Sequence, residues 1–397
     1  MSVAGVVAEY NPFHKGHAFQ VEETRRAGHE YIVAVMSGNY VQRGEPAIMP
    51  KHARAKAAVL NGVDLVIELP TVWASAGAMF FARGAVGLLD GLGLVDCLSF
   101  GSESADGELL QKAARILDSP ELNSGIIGQN MIEGETFAKA RSRLVSEMYG
   151  EETASVLENP NDTLAVEYIR AINGFGCDFK ILPIRRKGAG HDQKGDFDGF
   201  ASASQIRNKI LQDVPFDEFL PEASSKILSE EVLAGRAPAD YRKLETAVIY
   251  ALRSKNAEEI AKAPDVSEGI ENRIYKAAAQ ASSLTELFEK AKSKRYTHAR
   301  IRRIVLNSFL GVEEMMLHSL PPYIRVLAVG QGGKELLRLA RKKAKLPIVM
   351  KAADIKKLDD KAKAVFDTEC RATDIYSLSL PKPLPSGEEF RSEVFVL

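Results

Sequence analysis

The chain has 397 residues, 52 Lys and Arg against 53 Asp and Glu, and 45% hydrophobic residues. That length predicts about two domains, because single cores seldom grow beyond about 250 to 300 residues, and ordinary apolar and charged fractions exclude a disordered, collagen-like or disulfide-stapled chain. Three cysteines, Cys97, Cys177 and Cys370, with no C-x-x-C pair among them, argue against structural zinc and for a reducing compartment. The start MSVAGVVAEYNPFHKGH lacks a basic n-region and a long apolar core, and no stretch reaches the roughly 18 apolar residues of a membrane span. The reading is a soluble cytoplasmic protein with no membrane partner. A near-neutral net charge does not exclude RNA, since binding depends on how charge is distributed.

Short β-rich runs alternate with helical patterns through the first half, the sign of βα units around a parallel sheet. Strands are predicted at Val3–Ala8, Tyr31–Met36, Asp64–Leu69 and Val95–Phe100, with helices between and after them at Gly16–Ala27, Pro50–Asn61, Ala76–Leu89 and Ala105–Leu117. A fifth strand is expected near Asp178–Ile184. Right-handed crossovers then give an α/β, doubly wound, Rossmann-like sheet with its ligand crevice at the carboxyl ends of the strands. Gly188–Phe200 reads as a glycine-rich loop, and Ser202 as the N-cap of a helix through Ile206 and Ile210. Beyond about Pro215 the strand pattern stops, and spacing such as Leu244, Val248 and Leu252 predicts a mainly helical domain. The expected division is therefore residues 1–212 and 213–397, with a polar, loosely ordered tail from Pro381 to Leu397.

The loop after the first strand is the most informative. In His14-Lys15-Gly16-His17, two histidines flank a glycine where a helix begins, so backbone N–H groups and the positive end of the helix dipole converge on one point. That suits a phosphate, to which both imidazoles can donate. Two histidines three apart also suit a metal, but no carboxylate or cysteine stands at ligand spacing, so no metal site is expected. As a bare pattern H-x-G-H is short, and two ordinary loop histidines are the competing reading; strand before and helix after favour the anion site.

Ser37–Ala47 follows the second strand, which puts Gln42 and Arg43 on the same crevice rim, against the alternative of a loop shaped only by its glycines and proline. Lys51 and Arg54 open the next helix where acidic residues would suit the dipole, which suggests an anionic ligand. The second half concentrates cations at 290–303 and 338–345, with Tyr296 and His298 interleaved as candidates for stacking on unpaired bases. Solvated helix faces would look similar, but two clusters in one domain favour docking on RNA phosphates.

His14 to His17 after a first strand, joined by Ser202-Ala203-Ser204-Gln205-Ile206-Arg207, resembles the paired HxGH and S-x-S-x-I-R motifs of nucleotidyltransferases. The strings AEYNPFHKGH, SGNYVQRGEPAIMPKHARAKAA, GVDLVIELP and FGSES, continued by 161–168, 185–192, 294–300 and 372–378, resemble the tRNA(Met) cytidine acetate ligase family over most of the chain. The resemblance implies an ATP-dependent ligase that activates acetate as acetyl-adenylate and transfers the acetyl group to N4 of the wobble cytidine of elongator tRNA(Met), giving N4-acetylcytidine. It implies catalytic roles for His14, His17, Ser204 and Arg207, with Ser202, Ser204 and Arg207 gripping the leaving pyrophosphate. Nucleotide contacts fall on Val7, Ala8, Glu9, Tyr10, Asn11, Pro12, Phe13, His14, Lys15, Gly16, His17, Ala18, Phe19, Gln20, Gly101, Asn161 and Arg186. Asn161 fits equally well as a helix N-cap. Mg²⁺ is expected, held largely by phosphate oxygens and water. RNA contacts are expected at Lys294, Arg295, Arg300 and Arg303. Two other readings compete: a small-molecule adenylyltransferase would need only the first half, and a nonenzymatic RNA-binding protein would not need His14, Gly16, His17, Ser204 and Arg207 together.

Overall fold

Residues alternating along short β-branched strands sort into two apolar faces, and this alone dictates a sheet covered on both sides. In the computed structural model, which describes residues 1–122, 124–132, 135–187 and 199–397, those strands are β1 (Val3–Ala8), β2 (Tyr31–Ser37), β5 (Leu65–Leu69), β6 (Cys97–Ser102) and β7 (Lys180–Arg185), with a short hairpin, β3 (Tyr40–Val41) and β4 (Glu45–Pro46), between β2 and β5. Val33, Val35, Leu65 and Ile67 join one core, and Ile32, Ala34, Met36 and Val66 the other. The helices used below are α1 (Lys15–Arg26), α2 (Lys51–Leu60), α3 (Ala78–Leu92), α4 (Gly107–Leu117), α5 (Pro160–Phe175), α6 (Ala203–Leu211), α7 (Glu245–Arg253), α8 (Ile270–Gln280), α9 (Leu284–Ala291), α10 (His298–Leu310) and α11 (Asp360–Ser377). Helices α1, α2 and α6 cover one face of the sheet, and α3, α4 and α5 the other. The expected α/β, doubly wound sheet is therefore present. The glycine-rich loop expected at Gly188–Phe200 lies, through Asp198, outside the described residues.

The second half of the chain adds β8 (Ile324–Val329), β9 (Ile348–Val349) and β10 (Phe395–Val396) to the same sheet. The strands are ordered β10-β8-β5-β2-β1-β6-β7, and the five from β5 to β7 are parallel. From β1 the chain builds outward through β2 and β5, then returns to build β6 and β7 on the other side. The direction of winding thus reverses between β1 and β6, and a crevice opens at their carboxyl ends.

The expectation that strands stop after about Pro215 is corrected by β8, β9 and β10. β8 is buried at every residue and pairs antiparallel with β5, with β9 and β10 parallel to it. A short run buried on both faces has no alternation to separate it from a buried piece of helix. The tail is likewise not loose, since β10 pairs with β8 and Glu389 is buried. Before these strands, between α6 and β8, α7 to α10 enclose a core of their own that includes Leu244, Val248, Leu252, Ile274, Leu287 and Ile304. Among the described residues no helix is long and apolar enough to cross a membrane.

Candidate active site

The loop after β1 is closed by its two histidines. His14 is the N-cap of α1, and its Nδ1 accepts the Gly16 N–H at 3.0 Å, while His17 Nδ1 accepts the His14 N–H at 3.3 Å. This is a capping box built from imidazoles in place of hydroxyl and carboxylate. The rings stack with centroids 3.8 Å apart. A Cβ on Gly16 would meet His14 Cε1 at 2.8 Å, so only glycine admits the ring there. Because each Nδ1 accepts a backbone proton, each neutral ring carries its hydrogen on Nε2. Burial, with Arg186 and Arg207 nearby, pushes His14 down to about 3, and burial with His14 and Arg186 likewise pushes His17 far down. Both histidines are therefore neutral donors at neutral pH.

The second motif packs directly on the first. Ser202 caps α6 in a box with Gln205. Arg207 donates to the Asn11 carbonyl at 3.0 Å, to Glu45 at 3.1 Å and to Ser204 Oγ at 3.4 Å, and Arg43 donates to Ser204 Oγ at 2.9 Å. The loop after β1 and helix α6, 196 residues apart at Asn11 and Arg207, are thus tied together at the crevice.

Across the switch point, Arg186 donates to Asn161 Oδ1 at 3.4 Å and Asn161 donates to Glu103 at 2.5 Å. The N-cap of α5 is Asn159, with Pro160 behind it, so the N-cap reading of Asn161 is corrected. Arg185 spends its guanidinium on the carbonyls of Glu103 and Ser104, and Lys187 lies over the Phe19 ring.

Two adjoining hollows result. One is bordered by His14, Gly16, His17, Phe19, Gln20, Arg186 and Ser202. The other, of about 320 Å³, is bordered by Val7, Ala8, Glu9, Tyr10, Asn11, Gln42, Arg43, Asn161 and Tyr168. His17, Gln20, Gly101 and Arg186 belong to both. Of the expected nucleotide segment, Pro12, Phe13, Lys15 and Ala18 line neither hollow, and Phe13 is core. Ser204 and Arg207 adjoin the crevice through Arg43 and Asn11 without lining it. Tyr168 was not singled out from the sequence, although Asn161, Leu164 and Tyr168 fall on one helical stripe that lines the larger hollow.

A family model described as HIGH Nucleotidyl Transferase matches residues 1–389. The chain is 40% identical to a tRNA(Met) cytidine acetate ligase of Caldanaerobacter subterraneus subsp. tengcongensis over 96% of both chains, and 36% identical to one of Acetivibrio thermocellus over 100% of both. This chain belongs to the tRNA(Met) cytidine acetate ligase family. Its fold matches a crystal structure of Thermotoga maritima TmcAL bound with alpha-thio ATP at a TM-score of 0.92, with 37% identity and 100% of both chains covered. The resemblance carried by the two motifs is borne out over the full length.

Two other sets of cations fare differently from their sequence reading. Lys51 and Arg54 are engaged by partners within the fold, against the expectation of an anionic ligand: Lys51 pairs with Glu68, Glu369 and Glu389, and Arg54 donates to the carbonyls of Glu9, Ser37, Gly38 and Met49. In the helical unit, Lys294 and Arg295 are exposed and border a hollow of about 540 Å³ with Arg273 and Lys276. Arg300 instead donates to the Asp265 carbonyl and Ser267, and Arg303 pairs with the Asp265 carboxylate at 2.5 Å. Tyr296 is buried and donates its hydroxyl to the Glu268 carbonyl, which corrects its expected role as a stacking platform; His298 is exposed.

Proposed function

We propose that this chain is an ATP-dependent ligase that activates acetate as acetyl-adenylate and acetylates N4 of the wobble cytidine of elongator tRNA(Met) in the cytoplasm. The observation that carries the reading is the neutral His14–His17 pair, set with Arg186 at the switch-point crevice and tied through Arg43 and Asn11 to Ser204 and Arg207. Adenylation is an in-line displacement: an acetate oxygen attacks the α-phosphorus and pyrophosphate leaves. It needs no protein nucleophile, only positioning and neutralisation of charge. His14 and His17 donate Nε2–H to phosphate oxygens, Arg186 supplies charge on the nucleotide side, and Ser202, Ser204 and Arg207 act toward the leaving pyrophosphate. Val7 to Gln20, Gly101 and Asn161 frame the nucleotide. Mg²⁺ belongs to this reading as counter-charge to the phosphates; with Glu9 the single carboxylate among the described lining residues, it would be held by phosphate oxygens and water, and no step is assigned to it.

Division of labour is part of the proposal. Residues 1–212 activate acetate, and the helical unit within 213–397 docks tRNA, with Lys294 and Arg295 the exposed members of the set that includes Arg300 and Arg303. A small-molecule adenylyltransferase would leave that basic hollow without work, and the full-length match to named tRNA-modifying relatives favours the ligase. The test is mass spectrometry of tRNA(Met) after incubation with ATP and acetate, paired with acetate-dependent exchange of pyrophosphate into ATP. Exchange without acetylated tRNA would favour the small-molecule enzyme, and neither would sink both.

A further inference from the structure

Charge in the crevice is one-sided. Among the described residues lining its two hollows, Glu9 is the only carboxylate, set among Arg43, Arg185, Arg186 and Lys187. It follows β1 at the switch point, with Gly101 and Arg186 on the β6–β7 side and Gln42 and Arg43 beyond β2 on the other. Its Oε1 accepts the Gln42 backbone N–H at 3.0 Å, and buried Arg54 donates to its carbonyl. The carboxyl is thereby fixed to the loop that carries Arg43.

Acetyl transfer to an exocyclic amine needs somewhere for a proton to go. The N4 lone pair attacks the acetyl carbonyl carbon and the C–N bond forms. The bond from that carbon to the α-phosphate oxygen then breaks, AMP leaves with the electron pair, and N4 sheds one proton. His14 and His17 cannot take it, because each Nδ1 already accepts a backbone N–H and each Nε2 carries hydrogen. Tyr10 and Tyr168 are held as neutral phenols, their hydroxyls pushed up by burial.

We propose that Glu9 is the catalytic residue that accepts the N4 proton during acetyl transfer to cytidine. The assignment rests on the ligase function proposed above. Burial raises the Glu9 carboxyl from its ordinary value, opposed by Arg207 of α6, the Gln42 N–H and Arg43, and reinforced by Glu45; Tyr168 of α5 and Arg54 of α2 also lie against it. A carboxylate moved toward neutrality is a stronger base than a solvated one.

Full-length wild type, Glu9→Gln and Glu9→Asp are given synthetic acetyl-adenylate and a tRNA(Met) transcript under single-turnover conditions, and acetate-dependent pyrophosphate exchange is measured separately. The amide retains an oxygen acceptor for the Gln42 N–H, so it tests the proton and not the shape. Glu9→Gln is expected to slow transfer by about 10²-fold or more, with exchange falling far less. The wild-type transfer rate rises with pH along a limb that Glu9→Gln loses and Glu9→Asp keeps. Transfer within a few-fold of wild type, equal loss of both partial reactions, or a limb that persists in Glu9→Gln overturns the assignment. A wild type that acetylates no tRNA overturns the function instead.

Discussion

Lys51 and Arg54 on α2 and Arg43, Arg186 and Arg207 at the crevice are all cations beside the carboxyl ends of parallel strands, yet the fold uses them in opposite ways. Lys51 is 1% exposed and is surrounded by Glu68, Glu369 and Glu389, with Arg325 completing the cluster. Burial pushes Glu68 up to about 8 against the pull of Lys51, whereas Glu389, which burial alone would raise, is held down at about 2 by Lys51 and Arg325. Lys51 and Arg325 are thus met inside the fold by the acidic side chains of Glu68, Glu369 and Glu389. At the crevice the acids are fewer: Arg207 shares Glu45 with Arg302, and Arg186 donates to the Asn161 amide. Positive charge left over at the mouth of a crevice is what a polyphosphate neutralises. A cation's role is set by the carboxylates that tertiary structure brings to it, and for Lys51 one of these lies 318 residues away in the chain.

Removing the central cation breaks the comparison hardest. Lys51→Met leaves buried carboxylates undercompensated and is expected to destabilise the fold by about 3 to 5 kcal/mol, seen as a lower denaturant midpoint. Normal stability with weakened ATP binding would return Lys51 to the ligand side. His17→Ala makes the converse case. Acetyl-adenylate formation is expected to fall about 10²- to 10³-fold as a phosphate donor is lost, while stability changes by only about 1 kcal/mol for the missing cap. Unchanged adenylation would remove the catalytic assignment.

The sheet and the crevice were legible because their signals are local: β-branched runs, a histidine pair beside a glycine, and Ser202 as a helix N-cap. β8 was not, because IRVLAV is buried on both faces and carries no period. Lys51 and Arg54 misled for a different reason: the local rule about helix dipoles was sound, but the partners of Lys51 that decide its role include Glu369 in α11 and Glu389 in the tail. The same holds for the basic run at 290–303, where Asp265, from a separate segment, takes up Arg303 and leaves Lys294 and Arg295 exposed.

That last distinction divides one sequence cluster into two kinds of residue and can be tested. Lys294→Glu with Arg295→Glu is expected to weaken tRNA binding and to make its salt dependence shallower by about two in the log–log slope, one for each RNA phosphate that the variant no longer neutralises. Acetate-dependent pyrophosphate exchange should persist. Arg303→Glu breaks the pair with Asp265 and should act mainly through stability. If the slope fails to change in the double variant and changes in Arg303→Glu, docking runs over a different face of the helical unit.

The smallest effect concerns His52, next to Lys51 on α2. Both of its ring nitrogens are buried without a hydrogen-bond partner, and burial, reinforced by Lys51 and opposed by Glu389, pushes it down to about 3. An unfolded histidine takes up its proton near 6.5, so between about 6.5 and 3 the unfolded chain binds a proton that the folded chain refuses. Stability from keeping His52 neutral is therefore present above about 6.5 and lost as pH falls toward about 3. Glu68 works the other way, losing stability as pH rises from 4.5 toward about 8, and His14 adds a slope of the same sign as His52. Both effects are common to wild type and a His52→Leu variant, so the difference between their stability curves isolates the one ring. The variant should track wild type above pH 7 at a fixed offset and lose stability less steeply between 6.5 and 3, measured by urea unfolding across that range. Parallel curves through the acid window would mean that the ring finds a proton acceptor on folding, with Glu389 the nearest candidate by charge.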